Sequence, residues 1–121
     1  MTFICYPKCT TCQRAQKWLD DKNISYDFRD IKLHNPSYDE LKVWHEKSGL
    51  PLRRFFNTSG LLYKSLGLKE RLESMSEDKQ LKLLATDGML VKRPLLIGED
   101  FVLVGFKEPE WETRLAAISG G

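Results

Sequence analysis

The sequence predicts a single α/β domain, and three observations predict it. Strand-like and helix-like segments follow in the order β-α-β, then helices, then β-β-α. The chain has 121 residues, enough for one moderate core and too few for a second folding unit of ordinary size. Hydrophobic residues make up 41% and charged residues 30%, the balance of a soluble globular domain, which excludes disordered, collagen-like and coiled-coil readings.

Thr2 to Tyr6 is a short β-rich run that Pro7 and Lys8 end. From Gln13 to Lys22, Ala15, Trp18 and Leu19 continue an apolar face that starts at Cys12, so this segment reads as a helix, with Thr10 or Thr11 as its cap. Ile24 to Phe28 alternates apolar and polar residues and reads as a half-buried strand. Ser37 with Glu40 is a capping-box pattern; the helix behind it turns Leu41, Trp44 and Val43 inward and stops at Gly49. Pro51 to Tyr63 reads as loop plus a short helix. Ser76 opens another helix, with Glu77 and Asp78 at its positive end, Leu81, Leu84 and Ala85 inward, and Gly88 as terminator. Leu95 to Ile97 and Phe101 to Val104 read as a hairpin around Gly98-Glu99-Asp100. A last helix runs from Glu108 to Ile118 with Pro109 in its first turn and Trp111, Leu115 and Ile118 on its inner face.

Net charge is +2, too small for the strong basic patch of a direct nucleic-acid binder. No apolar run approaches the roughly 18 residues a membrane helix needs. The first residues carry neither a basic segment nor a long apolar one, and the chain is read as cytoplasmic. Its three cysteines, Cys5, Cys9 and Cys12, all fall near the start, which is not a secreted disulfide framework but a metal or redox pattern.

Cys9-Thr10-Thr11-Cys12 sits where a strand gives way to a helix. Backbone amides and the positive end of the helix dipole favour a thiolate on the first cysteine, making it a nucleophile. Two intervening residues put Cys12 within reach to resolve a mixed disulfide. Zinc also uses CxxC, but His34 and His45 supply no second ligand pair; a purely structural cysteine pair is the other reading. Pro94, directly before an apolar strand, stands where thioredoxin-like folds place a cis-proline beside the reactive cysteine; a trans-proline that starts the strand is the alternative. Arg93 offers a fork of donors to an oxyanion or carboxylate, or is a solvated arginine. Lys8 and Arg14 either favour the thiolate or are solvated charges. Cys5 is read as a core residue, not a redox partner. Arg53-Arg54-Phe55-Phe56 reads as half core and half solvated loop, with a ligand or partner surface as the alternative, and Trp18, Trp44 and Trp111 read as core.

With these residues in view, the sequence resembles the ArsC/Spx family of thioredoxin-fold proteins over nearly its whole length. Tyr6 to Cys12 is similar to the family's redox segment, Ser48-Gly49-Leu50-Pro51 to Leu66-Gly67-Leu68 to its helical insertion, Lys92-Arg93-Pro94 to its Arg-Pro element, and Val104-Gly105-Phe106 to the Spx-like end of the last hairpin. The resemblance implies an α/β thioredoxin-like fold, a four-stranded mixed sheet with an all-helical insertion at about residues 36–88 of a single 1–121 domain. It implies Cys9 as nucleophile, Cys12 as its disulfide partner and Arg93 as an oxyanion-binding arginine. Thr10, Thr11 and Pro94 are read as substrate-binding. Two further oxyanion arginines of the reductases fall at Asn57 and at Gly105 or Phe106, which carry no charge. The implied activity is an arsenate-reductase-like thiol-disulfide oxidoreductase with no bound cofactor, restored by glutathione or a thioredoxin system. The alternative is an Spx-like redox-switched regulator binding the C-terminal domain of the RNA polymerase α-subunit, with Gly49 near that contact.

Overall fold

Four strands make one mixed sheet in the order β2-β1-β3-β4: β1 Thr2–Cys5, β2 Asp27–Asp30, β3 Leu95–Ile97 and β4 Val102–Val104. β1 runs parallel to β2 and antiparallel to β3, and β3 runs antiparallel to β4. The computed structural model describes the backbone of residues 1–119 and the side chains of residues 1–116. The helices are α1 (Thr10–Asp21), α2 (Tyr38–Ser48), α3 (Leu61–Ser65), α4 (Leu68–Arg71), α5 (Glu77–Leu84) and α6 (Glu108–Ser119), with 3-10 turns at Leu52–Phe55, Leu72–Ser74 and Gly88–Leu90. The expected element order holds, and only helices and turns lie between β2 and β3.

Period-two alternation divides the central strands between two cores. Phe3, Cys5, Leu96 and Leu103 face α1 and α6, where Cys12, Ala15, Leu19, Trp111 and Leu115 close over them. Ile4, Leu95, Val102 and Val104 face the insertion, where Leu41, Trp44, Phe55, Phe56, Leu68 and Leu84 are buried. Both faces are covered, so β1, β3 and β4 are apolar throughout after Thr2. Trp18 is half-buried and packs edge-on against Trp111. The expected inward position of Ile118 lies outside the described side chains.

Several local expectations are corrected. The cap of α1 is Cys9, in extended conformation and with no side-chain cap bond, not Thr10 or Thr11. The second strand begins at Asp27 rather than Ile24, because Ile24 is still occupied in closing α1: its amide donates to the Leu19 carbonyl after Asn23 turns left-handed at φ 57°. β2 is an edge strand, and Phe28 is 47% exposed. Val43 points outward, 52% exposed, since the inner face of α2 runs through Leu41 and Trp44. The capping box at Ser37 and Glu40 forms as expected, and Gly49 closes α2 at φ 68°.

Gly88 does not terminate α5, whose cap is the half-buried Ala85. It opens a 3-10 turn pressed on the chain after β2, where an added Cβ would lie 1.9 Å from the Ile31 carbonyl oxygen. Backbone cannot yield there as a flexible side chain does. Gly88→Ala is therefore expected to destabilise the fold by about 3 kcal/mol; an unchanged urea midpoint would contradict this contact.

Arg29 binds Glu40 through both guanidinium ends, at 2.7 and 2.9 Å, joining β2 to α2. These bonds hold the Glu40 carboxyl at about 2, down from 4.5. The stabilisation is complete above about pH 4.5 and is lost as pH falls from there toward 2. Solvent reaches the pair, so the loss is about 1 kcal/mol. Arg29→Met should remove that acid-side component from Tm measured against pH, and a variant with the same acid slope as wild type would refute it.

Candidate active site

β1 and β3 are antiparallel and pair Ile4 with Leu95, so the chain leaving β1 and the chain entering β3 meet at one end of the two central strands. The first carries Tyr6 to Cys9 into α1. The second carries Arg93 and Pro94, joined by a cis peptide bond. The Gly105 loop after β4 completes that end. It turns at φ 74°, its amide donates to the Pro94 carbonyl at 2.8 Å, and its carbonyl accepts from the buried Trp111 indole at 2.9 Å.

Cys9, half-buried, opens onto a cleft of about 890 Å³. Thr11, Asn57, Met89, Arg93 and Phe106 are among its walls. Four cations line it, Arg54, Lys92, Arg93 and Lys107, and among the described lining residues there is no carboxylate. The site therefore favours an anionic or electron-rich group beside the Cys9 sulfur.

Cys12 is 0% exposed, one turn behind Cys9 on the inner face of α1. Its sulfur accepts the Tyr6 amide at 3.4 Å. The neighbouring Cys5 sulfur and burial push the Cys12 thiol well above the usual thiol range. All three cysteines are thiols, with Cys5 and Cys12 buried and Cys9 accessible.

Arg93 is half-buried, with its guanidinium over the Tyr6 ring at 5.4 Å. One end donates to the Met89 carbonyl at 3.3 Å, while its buried Nε makes no hydrogen bond. The structure thus brings together Cys9, Thr11 and Arg93. Cys12 and Pro94 lie beneath the surface rather than in the wall, and Thr10 lies on the exposed side of α1, outside the cleft. Asn57 does line the cleft but is neutral; it accepts a hydrogen bond from Ser59. Sequence reasoning missed Lys92 and Lys107 as cleft residues, and it favoured a loop over a ligand surface for the run that holds Arg54. The basic-aromatic run at 53–56 was the available signal: Phe55 and Phe56 anchor in the core while Arg54 reaches the cleft. Among the described residues, no cluster of three or more His, Cys, Asp or Glu is placed to hold a metal, and no helix is long and apolar enough to cross a membrane.

A CxxC at a helix start, facing a cis-proline loop across a β2-β1-β3-β4 sheet, defines a thioredoxin-like protein. Within that class the match is specific: residues 5–114 fit the ArsC family, and the chain belongs to it. It is 53% identical to the uncharacterized protein YusI of Bacillus subtilis, over 96% of this chain and 98% of that one. It is 27% identical to the global transcriptional regulator Spx of the same organism, over 91% of this chain and 82% of that one. Among solved structures it superposes on an ArsC family related protein from Bacteroides fragilis with TM-score 0.91 and 55% identity, covering 93% of this chain and 94% of that one. A possible arsenate reductase from Streptococcus mutans gives TM-score 0.82 and 50% identity, covering 88% and 90%.

The burial pattern sets thiol reactivity in the native state. Iodoacetamide is expected to label Cys9 alone in the folded reduced protein and all three cysteines in denaturant. Native labelling of Cys12 at the rate of Cys9 would contradict this arrangement.

Proposed function

We propose that this protein is a thiol-disulfide oxidoreductase of the arsenate-reductase-like type, acting in the cytoplasm. The observation that carries the reading is an accessible Cys9 at a helix start, in a cleft of cations, with a buried second thiol one turn behind it. Cys9 attacks a sulfur of an oxidised substrate RSSR; a Cys9–SR bond forms and RS⁻ leaves. Cys12 loses its proton and attacks the Cys9 sulfur, closing a Cys9–Cys12 disulfide and releasing the second RS⁻. The two electrons come from the two protein thiols, and glutathione or a thioredoxin system returns them. Arg93, with Arg54, Lys92 and Lys107 around it, holds the anionic part of the substrate and favours the departing thiolate.

Arsenate fits this site less well than an anionic disulfide. Two of the three positions where the reductases carry arginines are Asn57 and Gly105–Phe106 here. The same observation, with the likeness to Spx, favours one second reading: the thiol pair is a redox switch in a regulator that binds the C-terminal domain of the RNA polymerase α-subunit.

Turnover in an NADPH-coupled assay separates the two. Arsenate and a model mixed disulfide are offered as oxidants, with glutathione/glutaredoxin or thioredoxin as reductant. The oxidoreductase reading expects turnover that falls to background in Cys9→Ser, and a kcat/KM for an anionic disulfide that falls about 10- to 100-fold in Arg93→Ala. No turnover under any pairing would sink it in favour of the regulator, as would full activity in Cys9→Ser.

A further inference from the structure

Cys5 is the nucleophilic group that the reaction above leaves unused. It is 1% exposed, and that burial matches a core residue. Its surroundings are not those of an inert one. Alternation along β1 turns Cys5 to the α1 face, and the first turn of α1 turns Cys12 back to meet it. Cys5 and Cys12 lie in one buried cluster, Cys9 packs against that cluster, and the Cys12 thiol interacts with both of the others. Cys12 is therefore the middle member of three thiols in a row, in contact with one neighbour at the cleft and one inside the core. A thiol that resolves Cys9 from that position has Cys5 on its core side.

The geometry points to Cys5 as a third redox thiol that takes over the disulfide from Cys9. The inference rests on the reading of Cys9 as the group oxidised first. Once Cys9–Cys12 has formed, Cys5 gives up its proton and attacks the Cys12 sulfur. The Cys5–Cys12 bond forms, the Cys9–Cys12 bond breaks, and Cys9 leaves as a thiolate that takes up a proton. No external oxidant or reductant enters this second step, since one disulfide and one thiol exchange places. The exchange is internal to the protein and needs no solvent access. The consequence is a protein that stores one oxidation event in its core and presents a reduced Cys9 to the cleft again.

The sequence supplies a direct test. Trypsin cuts after Lys8 and after Arg14, which separates Cys5 from a peptide carrying both Cys9 and Cys12. Reduced protein is treated with one equivalent of diamide, quenched in acid, blocked with N-ethylmaleimide in denaturant and digested. The expected product is the peptide ending at Lys8 joined to Cys9–Arg14 through Cys12, with maleimide on Cys9. A disulfide closed inside Cys9–Arg14, with maleimide on Cys5, would overturn the relay and leave the oxidoreductase reading standing. A link from Cys5 to Cys9 would overturn it too, and no disulfide in either peptide would overturn both readings. In Cys5→Ala the disulfide is expected to stay within Cys9–Arg14, and maleimide labelling of Cys9 after oxidation is lost. The wild-type map decides the matter whether or not that variant folds.

Discussion

The antiparallel pairing of β1 with β3 is the constraint from which the site follows. β1 ends where β3 begins, so two loops more than 80 residues apart in sequence are fixed side by side by backbone hydrogen bonds alone. One brings a thiol at the start of a helix; the other brings an arginine and a cis-proline. The third loop is drawn in by the Pro94 carbonyl and held by the Trp111 indole through Gly105. The candidate site is thus set by the ends of the two central strands.

The two faces of the sheet divide the remaining work. The face under α1 and α6 holds two of the three cysteines: Cys5 from β1 and Cys12 from α1 belong to one apolar layer, closed by Leu19, Trp111 and Leu115. The opposite face anchors the insertion through Phe55, Phe56, Leu68 and Leu84. The insertion returns Arg54, Asn57 and Ser59 to the cleft. Arg54 thus reaches the cleft from one packing unit and Cys9 from the other.

Much of this was legible in the sequence. Cys9, Cys12, Arg93 and Pro94 sit at joints between elements, where a short motif and an apolar run define the place without knowledge of the rest. The helix stops and starts at Ser37, Gly49 and Ser76 were legible for the same reason, because caps are local. What escaped is non-local. The start of β2 depended on how α1 closes over Asn23 and Ile24. Gly88 read as a stop because its real constraint, the Ile31 carbonyl, lies far off in the chain. Arg54, Lys92 and Lys107 share a wall only once the insertion has docked. Alternation showed that Cys5 is core, as it is, but not that Cys12 packs beside it.

The insertion is fastened to the Arg93 loop by main-chain groups: Asn57 donates to Leu90, Lys92 donates to Phe55, and Phe56 and Val91 form a bridge between them. None of these bonds depends on the identity of a side chain. The cleft wall is thus a frame whose shape is inherited separately from its charge. Replacing a neutral residue such as Asn57 by a cation, or the reverse, alters what the wall attracts without altering where it stands. A scaffold of this kind lets descendants of one ancestor drift between oxyanion chemistry and protein recognition by exchanging single side chains, with the thiols and the backbone beneath them untouched.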